Sequence, residues 1–297
     1  MIRTVLILFV VAVGAGATQA RSFYVQGAGG VPLATTEIGP AAAPGILFLH
    51  GLGQGRDSFN GQFASRLAET YRLVAFDLRG HGMSGKPWLA EDYTDAATWA
   101  EDVARVMDAT GLARPVVVAW SYGTLVAADM VRIRGARQIS GLVLVGALGG
   151  LEAQPAAGDV PPDLVKARRL LPHPDLADQR EASQLVARYL THAPAPSAWR
   201  DTTRALNLMV PPYAQPLLRQ HAGDNRDLVG QLTMPVLIVH GAKDAAVPQA
   251  AVESLVRRLP KGRASRYDRA GHAPFVEDAA RFNRELAGFV EYARSLP

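Results

Sequence analysis

The sequence predicts an α/β fold: a mostly parallel sheet with crossover helices, interrupted by a helical insertion. Three observations predict it. Short apolar runs recur with the length and β-branched content of buried strands. Helix-length amphipathic segments separate them, the alternation that builds parallel sheets. One stretch of about eighty residues breaks the alternation, too long to be a structureless loop inside a domain.

Taken in order, residues 45–49 form the first apolar run, ending at His50-Gly51. Residues 62–71 read as a helix with Phe63, Leu67 and Ala68 on one face. Residues 72–76 are the second run, ending at Asp77, and residues 96–110 a helix presenting Trp99, Val103 and Val106. The third run, 115–120, ends at Ser121 and leads into a helical stretch at 124–131. The fourth is 141–145; the fifth, 235–239, ends at His240-Gly241. A short strand-like piece at 264–267 and a last helix at 279–292 close the chain. Sites in such sheets lie at the carboxyl ends of the strands, where these polar residues sit.

Residues 149–226 carry ten of the twenty prolines and no run of this kind, with helical pieces at 178–189 and 198–209. They read as a helical cap between two halves of one sheet; the alternative is a long linker. The boundaries expected are 21–148 and 228–297 for the two parts of the core and 149–227 for the cap.

The first twenty residues differ from the rest. Arg3 precedes an apolar run at 5–13, and Thr18-Gln19-Ala20 puts small residues before a cut after Ala20. This is the layout of an export signal, and the run is short for a membrane span, which takes about twenty apolar residues. Cleavage near Ala20 and an exported protein without a stable membrane span are expected; an uncleaved anchor is the alternative.

With 297 residues and no cysteine, the chain is long enough to bury a stable core without a staple. Disulfides, thiolate metal sites and a thiol nucleophile are excluded. The net charge of +4 is spread along the chain, and its basic doublets, Arg168-Arg169 and Arg257-Arg258, have no interleaved aromatics. A nucleic-acid partner is therefore not expected.

The chemistry-bearing pattern is Ala119-Trp120-Ser121-Tyr122-Gly123, between a strand and a helix. A tight strand–helix turn needs small flanks and projects its tip side chain at a helix N-terminus. A serine hydroxyl needs a base in reach, and the base needs an orienting partner. The candidate base is His272, on the loop before the last helix; the candidate orienter is Asp244, just past the fifth run. The order Ser121, Asp244, His272 suits such a site. Asp244 could instead cap the helix at 249–259, with Glu152 and Asp129 as weaker substitutes. For the oxyanion, Tyr122 offers one backbone N–H and the His50-Gly51-Leu52-Gly53 loop a second, assigned to Leu52.

These motifs, together with Asp77-Leu78-Arg79-Gly80-His81-Gly82-Met83-Ser84, His240-Gly241-Ala242-Lys243-Asp244 and Gly271-His272, resemble the α/β-hydrolase superfamily, in its branch of esterases and cofactor-free haloperoxidases. The resemblance implies an eight-stranded, mostly parallel sheet, a helical cap after the sixth strand, and no metal or organic cofactor. It departs from the family's usual elbow in opening with Ala119 rather than glycine. The function implied is hydrolysis of a small-to-medium carboxylic ester; the alternatives are cleavage of a carbon–carbon bond, lactone or amide, perhydrolysis, or a binding protein without turnover.

Other residues have structural readings. His50 orders the oxyanion loop, His81 braces the turn at 79–84, Asp77 or Arg79 joins a buried polar network, and Trp120 packs beneath the elbow. His173, His192 and His221, in the cap, are read as solvated; the alternative is that one of them faces substrate. Trp199, Leu206, Leu208, Met209 and Tyr213 either line an acyl pocket or pack on the core.

Overall fold

The computed structural model describes residues 19–153, 160–193, 195–221 and 223–296. The apolar run read as an export signal therefore lies outside the described residues. The strands are β1 Arg21–Gln26, β2 Pro32–Ile38, β3 Gly45–Leu49, β4 Arg72–Phe76, β5 Val116–Trp120, β6 Gly141–Val145, β7 Val236–Gly241 and β8 Gly262–Tyr267. The helices are α1 Asn60–Phe63, α2 Leu67–Thr70, α3 Glu91–Thr94, α4 Ala96–Thr110, α5 Gly123–Arg134, α6 Pro162–Leu170, α7 Leu176–Tyr189, α8 Ser197–Met209, α9 Ala214–Gln220, α10 Gln249–Arg258, α11 Pro274–Glu277 and α12 Ala279–Arg294.

The strands form one eight-stranded sheet in the order β1-β2-β4-β3-β5-β6-β7-β8. β2 runs antiparallel to β1 and β4; all other pairs are parallel. β5 is central. Its Val117 and Ala119 face one apolar cluster with Trp99, Val103 and Val106 of α4 and Val126 of α5. Val116, Val118 and Trp120 face the other, with Phe282, Leu286 and Phe289 of α12. Every β5 residue is thus buried on one face or the other, which is why the run carries no polar alternation.

Two differences from the sequence reading have local causes. The helix expected over 62–71 is two short ones, α1 and α2. Between them the Ser65 hydroxyl donates to the Gln62 carbonyl at 2.7 Å and accepts from the Leu67 N–H at 3.2 Å, competing with the helical ladder. β1 and β2 were not anticipated: β1 is largely exposed and β2 buries only Leu33, Ala34 and Thr35, so neither makes an apolar run. By contrast α4 has the predicted bounds. Asp95 caps it by accepting from the Ala97 N–H at 3.1 Å, and Gly111 ends it at φ +64°, the left-handed stop that glycine favours.

Between β6 and β7 the described residues hold α6 to α9 and no strand. No helix among the described residues is long and apolar enough to cross a membrane.

The loop after β4 is fixed by ion pairs beneath it. Arg79 is fully buried; its Nε and Nη2 donate to the two oxygens of Asp102 at 2.7 and 2.8 Å, and Nη2 also reaches the Ala28 carbonyl at 3.1 Å. Asp77 pairs with Arg56 and accepts from the Met83 N–H at 2.8 Å. Removing one partner of a buried pair leaves an uncompensated charge. Arg79→Met is expected to cost about 3–5 kcal/mol of unfolding free energy, read from the denaturant midpoint; a loss below about 1 kcal/mol would be the behaviour of a solvent-screened pair instead.

Candidate active site

β5 delivers its last residue, Trp120, to the top of the sheet, and Ser121 turns the chain. Its φ is +53°, a conformation that costs a non-glycine residue about 1–3 kcal/mol and persists where the surroundings over-determine it. They do so here. The Ser121 N–H donates to the Val145 carbonyl at 2.9 Å, and the Ser121 carbonyl accepts from the Thr124 N–H and hydroxyl at 2.9 and 2.6 Å. Ala119 is accommodated in β5, paired with Leu49 and Leu144. At Gly123 a Cβ would stand 2.5 Å from the Leu49 carbonyl oxygen, so α5 can begin this close to β3 only with glycine.

His272 and Asp244 meet beside it. The His272 Nδ1–H donates to Asp244 Oδ2 at 2.7 Å, both side chains being nearly fully buried. The other Asp244 oxygen accepts from the Ala246 N–H at 2.9 Å. With Nδ1 committed as donor, Nε2 of the neutral ring is the free acceptor. Trp120 is buried under the elbow, and its Nε1 donates to the His272 carbonyl at 2.9 Å. Gly146 follows β6 at φ +64°, and a Cβ there would lie 2.6 Å from the His272 carbonyl oxygen and 3.0 Å from its Nδ1. The Tyr189 ring stands 5.3 Å from the imidazole; burial first, and then the Asp244 charge, hold its hydroxyl protonated. The weaker acid candidates are engaged elsewhere, Glu152 with Arg258 and Asp129 with His221.

Ser121 and His272 line one cavity of about 700 Å³ together with Leu52 and Tyr122. Among the described residues the Ser121 hydroxyl makes no hydrogen bond to His272. In unliganded enzymes such bonds are often long and tighten with substrate. The loop after β3 presses on the serine: a Cβ at Gly51 would be 3.1 Å from Ser121 Cβ. The backbone N–H groups of Leu52 and Tyr122 have no acceptor among the described residues. Leu164, Leu171, Val186, Leu190 and Leu218 supply the apolar lining.

The five residues offered as an acyl-pocket lining do not line this cavity. Trp199 donates to the Ser58 carbonyl at 3.1 Å, Leu206 packs over Gly55, and Tyr213 stacks on Trp88 and donates to the Lys86 carbonyl at 2.7 Å. Their periodicity marked a packed face without naming what it packs on.

His50 accepts from the Leu78 N–H at Nε2 (2.9 Å), so its Nδ1–H donates to the Gly51 carbonyl at 2.8 Å; it does order the loop. The His81 ring lies 5.0 Å away, bonded to the Arg79 carbonyl. Burial lowers the His50 pKa to about 4; burial, then the neighbouring His50, lowers that of His81 to about 3. Unfolded histidines take up protons below about pH 6.5, so between that pH and these values the unfolded chain binds more protons. The stabilisation is complete above about pH 6.5 and is lost as the pH falls, by about 1.4 kcal/mol per unit per histidine. The thermal midpoint is therefore expected to drop steadily from about pH 7 to about pH 5; a flat profile would rule out a neutral buried pair.

His221 corrects the sequence reading: it is buried, not solvated. Its Nε2–H donates to Asp129 Oδ2 at 2.5 Å, its Nδ1 accepts from the Tyr122 hydroxyl at 2.8 Å, and the ring stacks on Trp99. Tyr122, the neighbour of Ser121, is thus held through its side chain by a second Asp–His pair. His173 and His192 are exposed, as read.

A family model described as the alpha/beta hydrolase fold matches residues 44–279. The chain belongs to the α/β-hydrolase family. This α/β hydrolase is 29% identical over 280 residues to a 2-hydroxymuconate semialdehyde hydrolase of Pseudomonas putida, covering 91% of this chain and 90% of that one. It is 30% identical over 270 residues to a pimeloyl-[acyl-carrier protein] methyl ester esterase of Neisseria meningitidis serogroup B, covering 85% and 95%. It superposes on the crystal structure of esterase RhEst1 from Rhodococcus sp. ECU1013 with a TM-score of 0.81 and 30% identity, over 91% and 98% of the two chains. The chain is a hydrolase of this family.

Proposed function

We propose that the protein is a serine hydrolase that cleaves a carboxylic ester of small to medium size through an acyl-enzyme. The observation that carries this reading is the 2.7 Å bond from His272 Nδ1 to Asp244, which leaves the imidazole facing the cavity that Ser121 enters from its left-handed turn. Ser121 Oγ attacks the ester carbonyl and His272 Nε2 takes its proton. The Leu52 and Tyr122 N–H groups hold the oxyanion, an interaction worth about 10²–10³ in turnover for each donor. His272 returns the proton to the leaving alkoxide, and water, activated by the same ring, releases the acid. Asp244 fixes the tautomer and offsets the charge on the imidazolium. Residues 149–227 act as the cap that closes the entrance.

Labelling by a fluorophosphonate probe tests the nucleophile: modification of Ser121 in the folded protein is the expected result, and an unlabelled Ser121 would overturn it. The likeness to the muconate semialdehyde hydrolase favours a second reading, carbon–carbon cleavage on the same residues. Parallel assays of p-nitrophenyl butyrate and a ring-cleavage dienoate separate the two.

We read residues 1–20 as an export signal. Cleavage after Ala20 would leave the sheet intact, because β1 begins at Arg21. Intact-mass measurement of the exported protein should give a chain starting at Arg21; a full-length mass would show an uncut N-terminus.

A further inference from the structure

The charged groups around the Ser121 cavity do not balance. Of its carboxylates, Glu152 is paired with Arg258 at 3.0 Å and Asp224 with Arg226. Two guanidinium groups, Arg168 on α6 and Arg219 on α9, line the same cavity and form no ion pair among the described residues. Arg219 is partly buried, and desolvation, with the nearby positive charge of Arg168, lowers its pKa to about 10. The group is therefore held where its charge is disfavoured.

Its neighbour makes the same point independently. Arg219 Nη2 donates to Gln215 Oε1 at 3.1 Å. That uses the amide oxygen and leaves the Gln215 amide nitrogen as a donor. Gln215 is 1% exposed, lines the cavity, and its Nε2 has no partner. A buried donor left unmade costs about 1–3 kcal/mol. A partly buried guanidinium, an exposed one near it and an orphaned buried amide thus line one cavity, and an anionic acceptor there would pair with all three. A guanidinium fork matches the oxygens of a carboxylate or phosphate.

We propose that Arg219, Arg168 and Gln215 form an anion subsite, and that the substrate is an ester bearing a second, anionic oxyacid group held there while its carbonyl lies at Ser121. The location of the reacting end rests on the Ser121 reading; the subsite itself does not. Arg219 and Gln215 are one α9 turn apart, so their spacing is set by the helix and not by the ligand.

Two measurements on the full chain separate the claims. The first is the ratio of kcat/KM for mono-p-nitrophenyl glutarate to that for p-nitrophenyl valerate, a neutral ester of similar length. It should favour the carboxylate, and Arg219→Gln should collapse the ratio by roughly tenfold to a hundredfold, mainly through KM. The second is the thermal midpoint of the inactive Ser121→Ala protein with glutarate, glycerol 3-phosphate or neutral glutaramide. An anion should raise it by about 2–5 °C and glutaramide should not. Whichever anion acts identifies the group as carboxylate or phosphate. Should Arg219→Gln fail to fold, Arg168→Gln and Gln215→Leu read the same ratio and midpoint. A shift without turnover of either ester would remove the catalytic reading and leave the subsite standing. Turnover with a ratio unchanged by these substitutions, and no shift with either anion, would overturn the subsite and leave the catalytic reading intact.

Discussion

Ser121→Ala is expected to lower kcat for p-nitrophenyl butyrate by about 10⁴–10⁶, since what remains is binding and oxyanion stabilisation alone. Stability offers a second readout. Ser121 sits at φ +53°, and alanine, which also has a Cβ, keeps that strain. Ser121→Ala should therefore leave the denaturant midpoint nearly unchanged. Glycine relieves the strain, so Ser121→Gly should be equally inactive yet more stable by about 1 kcal/mol. Retained turnover in either variant would falsify the nucleophile assignment. Equal stability of the two would mean that the turn is not held under strain.

The second large effect is at Asp244. Its two oxygens accept from the His272 Nδ1–H and the Ala246 N–H, so both positions need acceptors. Asparagine has only one carbonyl oxygen. If its NH₂ faces His272, the ring must switch tautomer, and Nε2 then carries a hydrogen and cannot take the serine proton. Asp244→Asn should cost about 10³–10⁴ in kcat, and fluorophosphonate labelling of Ser121 should slow in parallel because it needs the same base. Asp129→Asn, which touches the His221 pair instead, should show a much smaller loss. If the two effects were reversed, the orienting acid would be Asp129.

What could be read in the sequence, and what could not, follows from how far each signal reaches. β3 to β7 were legible because both faces are buried, and β5 shows this residue by residue. β1 and β2 were not, because β1, at the edge, is largely exposed and β2 buries only Leu33, Ala34 and Thr35, so neither makes an uninterrupted apolar run. Ser121, Asp244 and His272 were legible because each follows a recognisable strand or precedes a recognisable helix. The structure brings His272 to Asp244 and sets His272, but not Asp244, on the wall of the cavity that Ser121 lines. The His221 pair had no such signal. Its partners, Tyr122 and Asp129, lie 99 and 92 residues away, and nothing local distinguishes a histidine that will be buried by a distant carboxylate from a solvated one. Whether Trp199 and Leu206 line a pocket or pack on the core stays open in the sequence for a related reason: an amphipathic face of α8 states that it is covered but not by what. Arg219 and Gln215 look like ordinary positions on a short helix until the cavity wall is drawn.

The bond between Tyr122 and His221 also limits how the entrance can open. Tyr122 belongs to the turn after β5, whereas His221 directly follows α9, so α9 is moored to the sheet beside Ser121. Swinging α9 outward would break two buried hydrogen bonds and strand Asp129, at a cost of about 3–5 kcal/mol. With α9 held in this way, Arg219 keeps a fixed reach from Ser121, so the proposed anion subsite would act as a ruler of constant length.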